Sequence, residues 1–129
     1  MGAVRIFKTK WLARYARRES ITDASLREAV SRAIRGSVDA DLGGNVIKQR
    51  VARTGRGRSG GYRMLIAFRA AYRAVFMLGF AKNDRDNITA DELESLKKIA
   101  ALWLSADAAK IEQVIAEGIL VEVKHENEK

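Results

Sequence analysis

The chain of 129 residues contains no cysteine, no proline and a single histidine, His125, near its end. Without cysteine there is no disulfide framework and no thiolate metal site. One histidine in a charged tail argues against a histidine metal centre, a Ser-His-Asp triad and a histidine general base. No apolar run approaches the roughly 20 residues that span a bilayer. Residues 1–8 lack the apolar stretch of a secretory signal, so a cytoplasmic protein is expected. Glycine is bunched at 43–44 and 55–61, and no interdomain linker stands out. At this length one domain over residues 1–129 is expected.

The most informative absence is that of acid. From Leu42 to Asn83 there is no Asp or Glu, against nine Lys or Arg. Residues 1–41 carry nine basic and five acidic groups, a net +4, and residues 84–129 carry six basic and eleven acidic groups, a net −5. The overall charge of +8 is therefore concentrated in the middle third. Such a surface suits a polyanionic partner, and phosphate contacts on nucleic acid are the leading candidate.

Along the chain, residues 4–8 read as a strand, and Trp11, Leu12, Tyr15 and Ala16 recur at helical spacing. Thr22 is placed as an N-cap, and Leu26, Ala29, Val30, Ala33 and Ile34 form the buried stripe of a second helix that stops at Gly36. Residues 38–45 form a polar loop. Val46 to Ala52 alternates, which puts Lys48 and Arg50 on one face of a strand. Thr54 to Gly61 reads as a loop. Strands over 62–69 and 72–80 are separated only by Ala70 and Ala71, as in a tight antiparallel hairpin. Thr89 and Glu92 form a capping box, with Ile88 and Leu93 as its hydrophobic staple. Leu93, Leu96, Ala100, Trp103 and Leu104 follow as a buried stripe, and Ser105 can restart a helix that closes at Gly118. Residues 119–123 are a possible edge strand. The expected fold is α+β, with an antiparallel central sheet carrying an N-terminal helical hairpin and a C-terminal helix. Residues 105–129 form an extension that either completes the fold or serves as a partner-binding arm.

Two motifs fail on context. Gly55 to Gly60 satisfies G-x-G-x-x-G, but a strand follows where a dinucleotide site needs a helix. Asn83 to Glu92 resembles a calcium loop, yet Arg85 and Asp86 fall where an oxygen ligand and a glycine belong. No metal and no cofactor are expected. What remains in the basic segment is guanidinium, ammonium and tyrosine. That set suits RNA cleavage, in which the 2′-OH attacks the adjacent phosphate. The protein need only position the strand, assist proton transfer and stabilise charge on the phosphate, and arginine meets phosphate oxygens bidentately. Arg56 and Arg58 are candidates for phosphate contact from the glycine loop. Tyr62 is the candidate for base stacking, whereas Trp11, Tyr15, Phe68, Phe76, Phe80 and Trp103 fit core stripes. Arg53, Asn83 and Arg85 complete the RNA-binding set.

The runs Ile47-Lys-Gln-Arg-Val-Ala-Arg53, Gly55-Arg-Gly-Arg-Ser-Gly-Gly-Tyr-Arg-Met-Leu-Ile66 and Gly79-Phe-Ala-Lys-Asn-Asp84 resemble the RelE/ParE toxin superfamily of bacterial type II toxin–antitoxin systems, in its HigB/RelE-like branch. The resemblance covers roughly residues 1–104. It implies a ribosome-dependent mRNA endonuclease that blocks translation and is inhibited by an antitoxin protein. It further implies catalytic roles for Lys48 and Arg50 at the scissile phosphate, for Arg63 in transition-state stabilisation, and for Lys82 after the last core strand. The chain departs from RelE at Asn83, where RelE has an arginine, and at Thr89, where RelE has a stacking tyrosine. The alternatives are a ParE-like inhibitor of DNA gyrase and a non-catalytic RNA-binding module.

Overall fold

The computed structural model describes residues 4–53, 57–70, 72–85 and 87–124, and for 53 and 57–60 the backbone only. The element order is β1 (Arg5–Thr9), α1 (Lys10–Glu19), α2 (Asp23–Ile34), β2 (Ala40–Asp41), β3 (Val46–Arg53), β4 (Gly57–Arg69), β5 (Arg73–Ala81), α3 (Ala90–Ser105), α4 (Ala108–Ala116) and β6 (Leu120–Glu122). Among the described residues no helix is long and apolar enough to cross a membrane.

Local chemistry sets the helix ends. Thr9 and Thr22 accept the Leu12 and Ser25 backbone N–H groups at the starts of α1 and α2. Gly36 follows α2 at φ +88°, a left-handed conformation that costs glycine little, and its N–H closes onto the Ala33 carbonyl. The capping box of α3 forms as expected: Thr89 N–H donates to Glu92 Oε1 at 2.7 Å, and Glu92 N–H donates to Thr89 Oγ1 at 3.1 Å. The next helix starts later than Ser105, because Asp107 caps it by accepting Lys110 N–H.

The strands form one sheet in the order β2-β3-β4-β5-β1-β6. Four of its five joints are antiparallel, but β1 runs parallel to β5. The expected antiparallel central sheet holds at the other joints and is corrected at this one. After β1 the chain leaves through α1 and α2 and re-enters at the far edge, so β1 fills the open side of β5 and β6 covers β1. Two boundaries also differ from expectation. The 38–45 loop contains β2, and β4 begins at Gly57, where Arg53 pairs with it, rather than after Gly61. Ala71 of the expected hairpin lies outside the described residues, and Tyr72 N–H bonds back to the Arg69 carbonyl at 3.0 Å.

Both sheet faces are covered. Ile6, Ile47, Val51, Met64, Ile66 and Phe76 pack with α1 and α2. Phe7, Val46, Leu65, Ala67, Val75 and Phe80 pack with α3, α4 and Leu120 of β6. Strand alternation sorts the two sets, and a bulge in β5 resets it. Leu65 pairs with Leu78 and Ile66 with Phe76, so Met77 is the extra residue. Past the bulge, Phe80 lies on the α3 face, opposite Arg63. Residues 105–124 complete the structure: Ile111 and Val114 are buried in the second cluster, and Val123 N–H bonds to the Ile6 carbonyl at 2.8 Å. Arg5 grips Glu122 through two bonds of 2.9 and 2.8 Å and reaches Glu112 at 2.9 Å.

The far end of α3 is fastened by Arg73, which is only 8% exposed. Its Nη1 donates to the Trp103 carbonyl at 2.7 Å and the Ala106 carbonyl at 2.9 Å, and its guanidinium lies 4.5 Å from the Tyr72 ring centre. Arg73→Met keeps the volume and strips both carbonyls of their donor. It is expected to destabilise the fold by about 2 kcal/mol, read as a lower urea midpoint at unchanged slope.

Candidate nucleic-acid interface

β3 and β4 build the site by register. Lys48 and Arg50 share the face of Val46, and Arg63 shares the face of Leu65, which is the face that α3 covers further along. Arg50 and Arg63 are direct cross-strand partners, and Lys48 is opposite Leu65. Lys82 follows the last residue of β5, whose Phe80 is the other cross-strand partner of Arg63. Lys48, Arg50 and Arg63 thus share one sheet face, and Lys82 stands in the turn after the strand that pairs with Arg63. Lys48 and Arg63 are half-buried, whereas Arg50 and Lys82 are exposed.

The two arginines differ in their surroundings. Asp39 takes the Arg50 backbone N–H at 2.6 Å and lies 3.4 Å from its Nη2. Partial burial pushes the Asp39 carboxyl up, but the two Arg50 hydrogen bonds and the charges of Arg50 and Arg32 outweigh it and hold it below the ordinary 3.8. Arg63 has no such acid among the described residues. Its Nη1 is buried and has no hydrogen-bond partner among the described residues. A buried guanidinium N–H without an acceptor is uncommon and costly, and two like charges directly opposite on paired strands repel.

The expected RNA-binding residues scatter. Arg56 and the side chains of Arg53 and Arg58 lie outside the described residues. Asn83 is exposed in the turn after β5. Arg85 is folded back: it bonds twice to Glu92 and once to the Asn87 carbonyl at 3.0 Å, with its guanidinium 5.2 Å from the Phe80 ring centre. That side-chain bond, with the Thr89 backbone N–H, holds the Glu92 carboxyl down to about 2. Tyr62 is corrected. It is 2% exposed and packs on the α1 side, edge-on to Tyr15, with its hydroxyl 3.2 Å from Glu19. Alternation carries its ring away from the basic face, so it cannot stack a base there. The converse correction falls on Trp11, which is 42% exposed and not core.

Asp39 was not foreseen as a site residue. It lies three positions outside the acid-free segment, and only the β2–β3 pairing brings it to Arg50. The other cations of the segment have separate roles, since Arg73 clamps α3 and both Arg69 and Arg73 lie over Tyr72 at the opposite end of the sheet.

Asp39→Ala removes the acceptor of a strand N–H and is expected to cost about 1–2 kcal/mol at neutral pH. The sign follows from the depressed carboxyl: its contribution is full above the ordinary 3.8 and disappears as pH falls through the lower folded value. The gap between urea melts of the two proteins should therefore begin to close only as pH falls below about 4. An unchanged gap at low pH would show that the carboxylate is not the source.

A family model described as the RelE toxin of the RelE/RelB toxin–antitoxin system matches residues 4–123. No match was found among curated proteins or among solved structures. The matched span contains every element from β1 to β6, the basic end of the sheet included. The chain therefore belongs to the RelE family, the toxins that pair with an antitoxin in toxin–antitoxin systems.

Proposed function

We propose that the protein is a ribosome-dependent mRNA endonuclease that cleaves through attack of the RNA 2′-OH on the adjacent phosphate, without a metal ion. The observation that carries this reading is the cross-strand pair Arg50–Arg63, with Arg63 Nη1 buried and unbonded among the described residues. A phosphate placed between the two guanidiniums supplies the missing acceptor and relieves the repulsion.

In the reaction the 2′-OH gives up its proton, its oxygen bonds to phosphorus, and the bond to the 5′-oxygen breaks. The 5′-oxygen leaves with a proton, and a 2′,3′-cyclic phosphate remains. Lys48 and Arg50 hold the scissile phosphate. Arg63 stabilises the charge that grows on its non-bridging oxygens. Lys48 and Lys82 are the proton-carrying groups of the set, because the nearby carboxylates Asp39 and Glu92 are committed to Arg50 and Arg85. Dependence on the ribosome fits the openness of the face: Arg50 has 45% of its side chain exposed. Such a surface does not enclose and orient a flexible strand by itself, and a message already fixed in a decoding site meets that need. The antitoxin is expected to cover this face with carboxylates.

Expression of the wild type and of Arg63→Ala in a bacterial host, with 5′-end mapping of mRNA, tests the proposal. New ends inside translated frames should appear with the wild type and vanish in translation-blocked cells. Arg63→Ala should lower single-turnover cleavage by about 10²–10³-fold, the usual loss for one transition-state donor. Growth arrest with intact mRNA would instead point to a gyrase-type toxin.

A further inference from the structure

On the opposite side of the sheet α1 builds a second cationic surface. Lys10, Arg14, Arg17 and Arg18 stand on one ten-residue helix against a single acid, Glu19. Glu19 is engaged by the Tyr62 hydroxyl at 3.2 Å and lies 3.5 Å from Arg18. Arg14 and Arg17 have no ion pair among the described residues. A cavity of about 230 Å³ is lined by Trp11, Arg14, Tyr15 and Arg18, which are successive positions on one helix face.

The aromatic residues there are ordered as a stack. Trp11 lies on Tyr15 with ring centres 5.2 Å apart and planes inclined by 13°, and the Arg18 guanidinium lies 5.2 Å from the Tyr15 ring centre. Tyr15 is seated on the sheet by Gly79: a Cβ at that position would lie 3.4 Å from the Tyr15 ring and 2.6 Å from Met64 Sδ. The rigid, buried end of the stack is thus Tyr15, and its exposed end is the Trp11 indole.

We propose that this α1 surface is a second RNA-binding site, in which a base stacks on Trp11 while Arg14 and Arg18 hold the flanking phosphates. A flat exposed indole beside the guanidiniums of Arg14, which has no ion pair among the described residues, and of Arg18, which is paired only with its neighbour Glu19 at 3.5 Å, matches the alternation of base and phosphate along a strand. An acidic peptide would satisfy the arginines and leave the indole without a partner. The site faces away from Lys48, Arg50 and Arg63, so the protein can hold one RNA segment on each side of its sheet. It stands apart from the cleavage reading, since binding at Trp11 requires no cut.

The chain has two tryptophans, so Trp103→Phe leaves Trp11 as its only indole. This full-length protein is titrated with a 2′-O-methyl RNA oligonucleotide, which cannot be cleaved by 2′-OH attack. Trp11 emission should be quenched saturably, and the affinity should fall steeply with salt. Arg14→Glu with Arg18→Glu should weaken the quenching about tenfold or more, whereas Lys48→Ala with Arg50→Ala should leave it in place. Circular dichroism checks that each variant is folded, and the salt series on the parent protein tests the proposal without any charge reversal. No quenching by RNA, or quenching that is insensitive to salt, overturns it. Quenching by poly-glutamate but not by RNA also overturns it, and assigns the surface to an acidic protein.

Discussion

The basic face hangs on a side chain that points the other way. Gln49 is fully buried beneath α2. Its amide donates to the Ala29 carbonyl at 2.9 Å and the Ser37 carbonyl at 3.2 Å, and it accepts the Asp39 N–H at 2.8 Å. A buried amide that lost these partners would pay its full desolvation, so α2, the 37–39 segment and β3 are held in a single register. The consequence falls one residue further on. Arg50 must project from the other face, its N–H meets Asp39, and its carbonyl accepts from Arg32. A slip of one residue would bury Arg50 and expose Gln49, which the hydrogen bonds and the core both forbid.

Charge counted along the chain overstates charge available in space. The segment from Leu42 to Asn83 is free of acid, yet Asp39 reaches Arg50 from just before it. Glu92 neutralises Arg85 just after it. Arg73 spends its guanidinium on two carbonyls, at the end of the sheet remote from Arg63. The described cations left to meet a ligand on this face reduce to Lys48, Arg63 and Lys82, with Arg50 partly compensated.

Features encoded in short stretches were legible in the sequence. The Thr89–Glu92 capping box, the shared face of Lys48 and Arg50 and the apolar stripe of α2 each depend on residues fewer than a dozen apart, and each is present, except that the stripe ends at Ala33 because Ile34, in the last turn, is exposed. The features that escaped depend on partners distant in sequence. β2 is two residues long and exists only through its pairing with β3. The parallel joint of β1 with β5 carries no local mark. Tyr62 lies beside glycines and an arginine, which suggests a surface position, but pairing with Val51 turns it into the α1 side. Trp11 has the spacing of a core residue, but helical periodicity does not say where the supporting core ends. The bulge at Met77 is equally silent, although it places Phe80 opposite Arg63.

The site end of the sheet also runs against the sheet's own stability. Arg50 opposite Arg63 costs on the order of 0.2–1 kcal/mol where an apolar pair would stabilise. An unbonded buried N–H costs about 1–3 kcal/mol more. Elsewhere on the same strands Gln49 is satisfied through three bonds, and Met64, Leu65 and Ile66 are completely buried. In the proposed reading an anion that docks there recovers this local cost. In that reading both a scissile phosphate and an antitoxin carboxylate satisfy Arg63 Nη1. Substrate and inhibitor then compete for the same unsatisfied donor, and the local instability of the free toxin adds to the affinity of each.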